Sequence, residues 1–228
     1  MIAVLCGGGI DTIISMTHCK INNLEALPIY YKLGHNYSEF ELKTLLKLYP
    51  NIIIDESLRE LGKLEDSAHY IPHRNIHLIM SAFRYSASVM IGSTVDDVVN
   101  DQNRKAFNIL EQLAMEIGIK NAKIITPFLN ENLGKIEATQ MYKDYEGFKD
   151  NIINSFSCFE PIHGHECLGC SACFRKNVVL AYVFNNNRPF TNKPMAMQYL
   201  HKAKHTRVYG SMRSLAIIEY MERVYGEK

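Results

Sequence analysis

The sequence predicts an α/β protein built on a doubly wound, mostly parallel sheet. Short runs that are apolar almost throughout alternate with longer amphipathic segments. Strands that are apolar on both faces are typical of parallel sheets with helices packed on each side. A run of three glycines also joins the first apolar run to the first amphipathic segment, which is where many sheets of this type bind a ligand.

Five apolar runs predict the strands, because each is short, bounded by polar residues and rich in β-branched side chains. The predicted strands are residues 2–6, 25–33, 51–55, 88–93 and 122–128.

The amphipathic segments between the strands predict helices. They are residues 11–21, 38–49, 74–87 and 104–118. Ser38 is expected to cap the second helix and Gly118 to end the fourth. Near the C-terminus, residues 185–194 indicate a turn or linker, and residues 214–226 predict a last amphipathic helix.

Composition limits the classes of function. The 228 residues carry a formal net charge of +1, and this near balance disfavours a dedicated nucleic-acid binder. The sequence contains no run of eighteen apolar residues, so it predicts no membrane helix. The first residues, MIAVLCGGGIDTI, show no basic lead-in and no usual small-residue cleavage site, so we expect no signal peptide. We therefore expect a cytoplasmic, reducing location, in which disulfides are rare.

The stretch CGGGIDT, residues 6–12, lies between the first strand and the first helix. Glycines let backbone amides approach a ligand, and a helix N-terminus adds a partial positive charge, so the stretch favours a phosphate or pyrophosphate site. A tight structural turn is the alternative, since the stretch lacks the endings of the common nucleotide motifs. The candidate nucleotide-binding residues are Gly7, Gly8, Gly9, Ile10, Asp11 and Thr12.

Four cysteines lie close together, with eight, two and two residues between them: Cys158, Cys167, Cys170 and Cys173. This spacing indicates one structural tetrathiolate zinc ion per chain, and an iron–sulfur cluster is the alternative. His163 and His165 lie in the long spacer and are expected to be spectators. Cys6 and Cys19 are expected to be buried packing residues.

We predict two regions in the chain, and the cysteine cluster lies in the second. Residues 1–150 are expected to form the nucleotide-binding α/β domain. Residues 151–228 are expected to form a zinc-stapled helical region that packs on this domain as one structural unit.

The stretch GGGIDT resembles the Ser-Gly-Gly-x-Asp-Ser pyrophosphate loop of the PP-loop ATPases, which adenylate a substrate and release pyrophosphate. Gly8, Gly9 and Asp11 match, whereas Gly7 replaces the first serine and Thr12 the last. The resemblance implies an adenine nucleotide alpha hydrolase-like, Rossmann-type fold and the use of ATP with Mg²⁺.

The loop and the cysteine spacing together resemble the 7-cyano-7-deazaguanine synthase family of queuosine biosynthesis. Similar segments are residues 31–39, 71–86, 134–138 and 157–177. The resemblance implies an AMP-forming carbon–nitrogen ligase that converts 7-carboxy-7-deazaguanine and ammonia into the nitrile through acyl adenylates. It also implies a homodimer and no direct nucleic-acid substrate.

The resemblance supplies three candidate catalytic residues. Asp11 is expected to help hold Mg²⁺, Arg74 to bind phosphate or the substrate carboxylate, and Lys135 to stabilise charge on the leaving pyrophosphate. The alternatives are a surface ion pair for Arg74, a solvated helix residue for Lys135 and a capping role for the neighbouring Asn75.

The chain departs from the family pattern in residues 92–107, a loop expected to contact the deazaguanine, and it extends past the family from about residue 188. In the loop, the residues that align or supply acids are Gly92, Asp97, Asp101, Arg104 and Phe107. Two other functions therefore stay open. One is a divergent PP-loop enzyme that stops at the amide or adenylates another acceptor, as in tRNA thiolation or phage and defence modification. The other is a non-catalytic zinc module whose nucleotide site has decayed, which Gly7 favours.

Overall fold

A computed structural model describes residues 1–97, 99–206 and 209–227. It contains a five-stranded, all-parallel sheet with the strand order β3-β2-β1-β4-β5, which confirms the predicted fold class. The strands are β1 (Ile2–Cys6), β2 (Ala26–Tyr31), β3 (Ile53–Asp55), β4 (Ser88–Met90) and β5 (Lys123–Ile125).

Helices cover the sheet and continue beyond it. They are α1 (Ile10–Ile21), α2 (Ser38–Leu48), α3 (Arg74–Ala82), α4 (Arg104–Glu116), α5 (Pro127–Asn130), α6 (Lys135–Met141), α7 (Phe148–Asn154), α8 (Ser171–Phe184), α9 (Lys193–His205) and α10 (Ser211–Tyr225), with a 3-10 turn at Arg59–Leu64. None of the described helices is long and apolar enough to cross a membrane.

The strand order reverses between β1 and β4. The chain runs outward from β1 through β2 to β3, then returns to place β4 against the other side of β1, where Ala3 pairs with Val89. The carboxyl ends of β1 and β4 therefore lead into loops that separate, and parallel sheets of this kind bind ligands at such a point. The glycine stretch follows β1 at this position.

Several predicted strands and helices extend past the ends that the structure shows. The strand predicted at 122–128 ends at Ile125, because Pro127 occupies the first turn of α5, where its missing amide costs nothing. The strand predicted at 88–93 ends at Met90, and the helix predicted at 74–87 ends at Ala82. The predicted linker 185–194 ends two residues early, since α9 begins at Lys193.

The capping prediction for Ser38 was wrong. Tyr37 precedes α2 and no side chain caps that helix, while the Ser38 hydroxyl lies 2.8 Å from Nδ1 of His35. Gly118 follows α4 with a φ of +100°, the left-handed conformation that suits glycine, so that prediction is confirmed.

One apolar cluster contains side chains from both ends of the chain. It includes Ile13 and Ile14 of α1, Phe174 and Leu180 of α8, and Tyr220 of α10. The helix that follows the glycine stretch therefore packs in the same core as the C-terminal helices. The boundary at residue 150 and the proposal that the two regions form one structural unit stay predictions.

The glycine stretch is packed tightly between α2 and the segment before the cysteines. The backbone amide of Phe156 donates to the carbonyl of Gly8 over 2.7 Å. A Cβ atom at Gly8 would lie 2.9 Å from the carbonyl oxygen of Phe156 and 3.0 Å from Cγ of Glu41. At Gly7 the nearest such atom, Oε1 of Glu41, is 3.8 Å away, which is an ordinary contact.

We therefore expect Gly8→Ala to destabilise the protein by about 1–3 kcal/mol, because backbone atoms must move to admit the methyl group. The matched control, Gly7→Ala, should cost less than about 1 kcal/mol. Urea unfolding measures both. Equal losses in the two variants would contradict the close packing at Gly8.

Candidate functional site

A cavity of about 310 Å³ opens at the carboxyl ends of β1 and β4. It brings together the three candidate catalytic residues, Asp11, Arg74 and Lys135, which are far apart in the sequence. Of the candidate nucleotide-binding residues, Gly7, Gly9, Ile10, Asp11 and Thr12 line it. Gly8 does not line the cavity, because it packs against Phe156 and Glu41 of α2.

The loop holds its shape through Thr12. The amide of Gly7 donates to the Thr12 hydroxyl over 2.8 Å, and the hydroxyl donates to the Gly7 carbonyl over 2.7 Å. Gly9 precedes α1 without a side-chain cap. The first amides of α1 therefore lack a capping side chain, and a helix start of this kind suits an anion.

Lys135 and Asp11 form an ion pair in the cavity, with Nζ of Lys135 2.9 Å from the carboxylate. Burial alone would lower the pKa of Lys135, but the carboxylates of Asp11 and Asp97 outweigh burial and raise it. Lys135 therefore stays a cation. Its backbone amide donates to Oδ2 of Asp96 over 2.9 Å, which fixes the start of α6.

Arg74 is placed by the first turn of α3. Asp101 accepts hydrogen bonds from the amide and the side-chain nitrogen of Asn75, at 3.1 and 3.0 Å. Asn75 is buried and serves this contact, while Arg74 beside it lines the cavity. Among the described residues no carboxylate forms an ion pair with Arg74, so its guanidinium is available to an anionic ligand.

Glu41 is a cavity residue that the sequence analysis missed. Its carboxylate accepts from the hydroxyl of Tyr30 over 3.1 Å and from the backbone amide of Gly8. Burial raises its pKa to about 7, although these hydrogen bonds act in the opposite direction. The neighbouring Glu39 lies in the segment 31–39 that resembles the family, and it pairs with Lys32 at the surface. Both acids lie on one amphipathic helix, so the sequence pattern alone could not separate them.

The residues on either side of Cys158, the first cysteine of the cluster, form another wall of the cavity. Ser157, Cys158 and Phe159 line the cavity together with Arg175, which follows the last cysteine by two positions. The Arg175 guanidinium lies 5.9 Å from the centre of the Phe159 ring. In the sequence analysis Arg175 falls within the similar segment 157–177 and has no role of its own.

The four cysteine sulfurs lie within 4.8 Å of one another and can hold a metal ion. A tetrahedral zinc ion with four sulfur ligands separates the sulfurs by about 3.8 Å. The amides of Gly169 and Cys170 each lie 3.3 Å from Sγ of Cys167, which stabilises a thiolate there. His163 and His165 are exposed and outside the cluster, whereas Cys6 and Cys19 are buried elsewhere.

A buried ion cluster connects the cysteine segment to the C-terminal region. Glu166 accepts from the amide of Ser157 over 2.8 Å and from Nζ of Lys176 over 3.0 Å, and its other oxygen lies 2.8 Å from Arg188. Lys176 also donates to the carbonyl of Ser155. Burial lowers the pKa of Lys176, and the acid partner opposes that shift.

Comparison with known proteins gives a consistent result. Residues 21–183 match the family described as "Queuosine biosynthesis protein QueC". A protein of Leptospira interrogans serogroup Icterohaemorrhagiae serovar copenhageni (strain Fiocruz L1-130), named 7-cyano-7-deazaguanine synthase, is 26% identical over 204 residues, which cover 75% of this chain and 82% of that protein. One of Desulfitobacterium hafniense (strain Y51), named 7-cyano-7-deazaguanine synthase 1, is 22% identical over 201 residues, covering 77% and 89%. The family match includes Arg74, Lys135 and the four cysteines and begins after the glycine stretch.

Glu41 predicts a pH-dependent affinity for nucleotides. With a pKa of about 7, its carboxyl is mostly neutral at pH 6 and mostly ionised at pH 8, where the new negative charge behind the glycine stretch repels phosphate. We expect ATP affinity to fall about tenfold more between pH 6 and 8 in the wild type than in Glu41→Gln. Calorimetric titration at pH 6, 7 and 8 measures this. Glu39→Gln, on the exposed face, should behave as wild type, and an unchanged pH profile in Glu41→Gln would refute the assignment.

Proposed function

This chain belongs to the family of queuosine biosynthesis protein QueC, as its motifs predicted, and we propose that it is an ATP-dependent carbon–nitrogen ligase. It converts 7-carboxy-7-deazaguanine and ammonia into 7-cyano-7-deazaguanine, with release of AMP and pyrophosphate. The observation that carries the proposal is the convergence of the glycine stretch, Arg74 and the Lys135–Asp11 pair on one cavity at the point where the strand order reverses.

The reaction needs activation because a carboxylate is a poor electrophile. Its oxygen attacks the α-phosphorus of ATP, the bond from that phosphorus to the bridging oxygen breaks, and pyrophosphate leaves with the electron pair. Ammonia then adds to the acyl carbon, loses a proton and expels AMP, which gives the amide. In a second round the amide oxygen is adenylated, and loss of AMP and of both amide protons leaves the nitrile.

The cavity residues supply charge where these steps develop it. The Gly7 and Gly9 backbone and the start of α1 bind the pyrophosphate, and Lys135 stabilises the charge that grows on it. Arg74 binds a phosphate or the substrate carboxylate. Mg²⁺, when bound with ATP, would supply further neutralisation of the phosphates, and Asp11 would help to hold it.

The cysteine cluster fits structural zinc. Cys158, Cys167, Cys170 and Cys173 would occupy all four positions of a tetrahedral shell and would leave none for a substrate or water. A zinc ion there would fix the 155–159 segment against the glycine stretch. The homodimer implied by the family resemblance stays a prediction.

The first test incubates the zinc-loaded protein with ATP, Mg²⁺, ammonium and 7-carboxy-7-deazaguanine and follows product mass and AMP. We expect the nitrile with two AMP per acid. Lys135→Ala should lower kcat about 100-fold or more, the usual effect of removing a group that stabilises developing charge. Lys143→Ala, an exposed lysine after α6, is the control and should keep full activity.

Other outcomes of this assay separate the alternatives. The amide with one AMP would indicate an enzyme that stops after the first round. The absence of AMP that depends on the acid would contradict the proposal and leave another acceptor or a non-catalytic zinc module.

Cys170→Ser tests the metal assignment. We expect the wild type to contain one zinc per chain by elemental analysis and the variant to lose it, with a lower urea midpoint because the zinc shell contributes directly to folding. Cys19→Ser, a buried cysteine outside the cluster, is the control and should retain zinc. Iron and sulfide in the wild type would instead identify an iron–sulfur cluster.

A further inference from the structure

A second cavity, of about 350 Å³, adjoins the first. Five polar residues line both cavities: Arg74, Asp97, Gln102, Lys135 and Arg175. We call these five residues the shared rim. Because the two spaces have this rim in common, a molecule in the second cavity can present a reactive group directly to the Lys135–Asp11 pair.

The C-terminal helices build the far wall of the second cavity. Tyr199 of α9, Tyr209, and Arg213 and Ile217 of α10 line it together with residues of α6 and α8. These four residues lie beyond the segment 21–183 that matches the family. The wall is therefore contributed by the part of this chain that exceeds the family match.

The wall is aromatic, and the planes of its rings are nearly parallel. The rings of Phe174 and Tyr199 stack with centres 4.4 Å apart, and Tyr209 lies at 16° to Tyr199 with 6.3 Å between centres. The Arg213 guanidinium lies 4.3 Å from the centre of the Tyr209 ring. Planar heterocycles stack on faces of this kind.

The wall is linked rigidly to the reaction centre. Nη1 of Arg213 donates to the backbone carbonyl of Asp96 over 3.0 Å, and the Asp96 carboxylate accepts the amide of Lys135. One residue of the 92–107 loop therefore fixes both α10 and the start of α6. A ligand held on the aromatic wall keeps a set position relative to Lys135.

The charge of the second cavity favours an anion. Among the residues that the structure describes, its lining carries four cationic side chains, Arg74, Lys135, Arg175 and Arg213, and two carboxylates, Asp96 and Asp97. Three of the cations are concentrated at the shared rim. The remaining lining includes the apolar side chains of Val178, Val179 and Ile217 as well as the aromatic residues.

We propose that the second cavity binds the acceptor, a planar heteroaromatic carboxylic acid, while ATP occupies the first cavity. The ring of the acid stacks on Tyr199 and Tyr209, and its carboxylate faces Arg175 and Lys135 at the shared rim. The volume suits a compact ligand, since small-molecule sites begin at about 300 Å³. This inference rests on the proposed function and adds a residue set for its acceptor.

The test compares steady-state kinetics of the full, zinc-loaded chain with 7-carboxy-7-deazaguanine as the probe. Tyr199→Leu and Tyr209→Leu should each raise KM for the acid about tenfold, because they remove a stacking face, while KM for ATP changes less than twofold. Tyr199→Phe and Tyr209→Phe keep the ring and should restore the wild-type KM. Gln198→Ala, exposed beside Tyr199 on α9, is the matched control. Circular dichroism melts verify that each variant is folded.

The outcomes separate this inference from the proposed function. Wild-type conversion of the acid with unchanged KM in both folded leucine variants would refute the aromatic site and leave the ligase intact. Equal increases of KM for the acid and for ATP would also refute it, since the wall would then act on the whole site. A wild type that neither binds nor converts the acid would overturn both proposals.

Discussion

The contact between the glycine stretch and the segment before the first cysteine is the constraint on which the site depends. Gly8 accepts the amide of Phe156 and leaves no room for a side chain, so the loop after β1 and residues 155–159 approach each other backbone to backbone. Neither segment has regular structure of its own at this point. The loop is held from one side by Thr12 and from the other by this contact, and the cavity opens in front of it.

The cysteine cluster and the buried Glu166–Lys176 pair stabilise that contact from behind. An uncompensated charge at either position would be costly, so the pair must form together with the fold around it. Glu166 also accepts the Ser157 amide, which places Ser157 and Phe159 along the cavity. Because Cys158 itself lines the cavity, a metal ion held by the four cysteines would fix the shape of this wall without taking part in the chemistry.

Charge in the cavity is balanced between opposing groups. Lys135 lies against Asp11, and Glu41, which also lines the cavity, lies against Gly8 on the side of the loop that faces α2. A bound polyphosphate must share the Lys135 cation with Asp11, and it meets the carboxylate of Glu41. The raised pKa of Glu41 follows from its burial, a property that no linear motif carries.

The sequence by itself determined the sheet class, the glycine stretch and the cysteine cluster, since each follows from local periodicity or spacing, and the resemblance of its motifs indicated the family. The ends of β4 at Met90 and of α3 at Ala82 were placed too late, because apolar residues continue past both positions in the sequence. Only the tertiary structure brought Asp11, Arg74 and Lys135 together, distinguished Glu41 from Glu39, and closed a second cavity with α9 and α10. These features join residues that are distant along the chain, and their contacts depend on how the helices pack on the sheet.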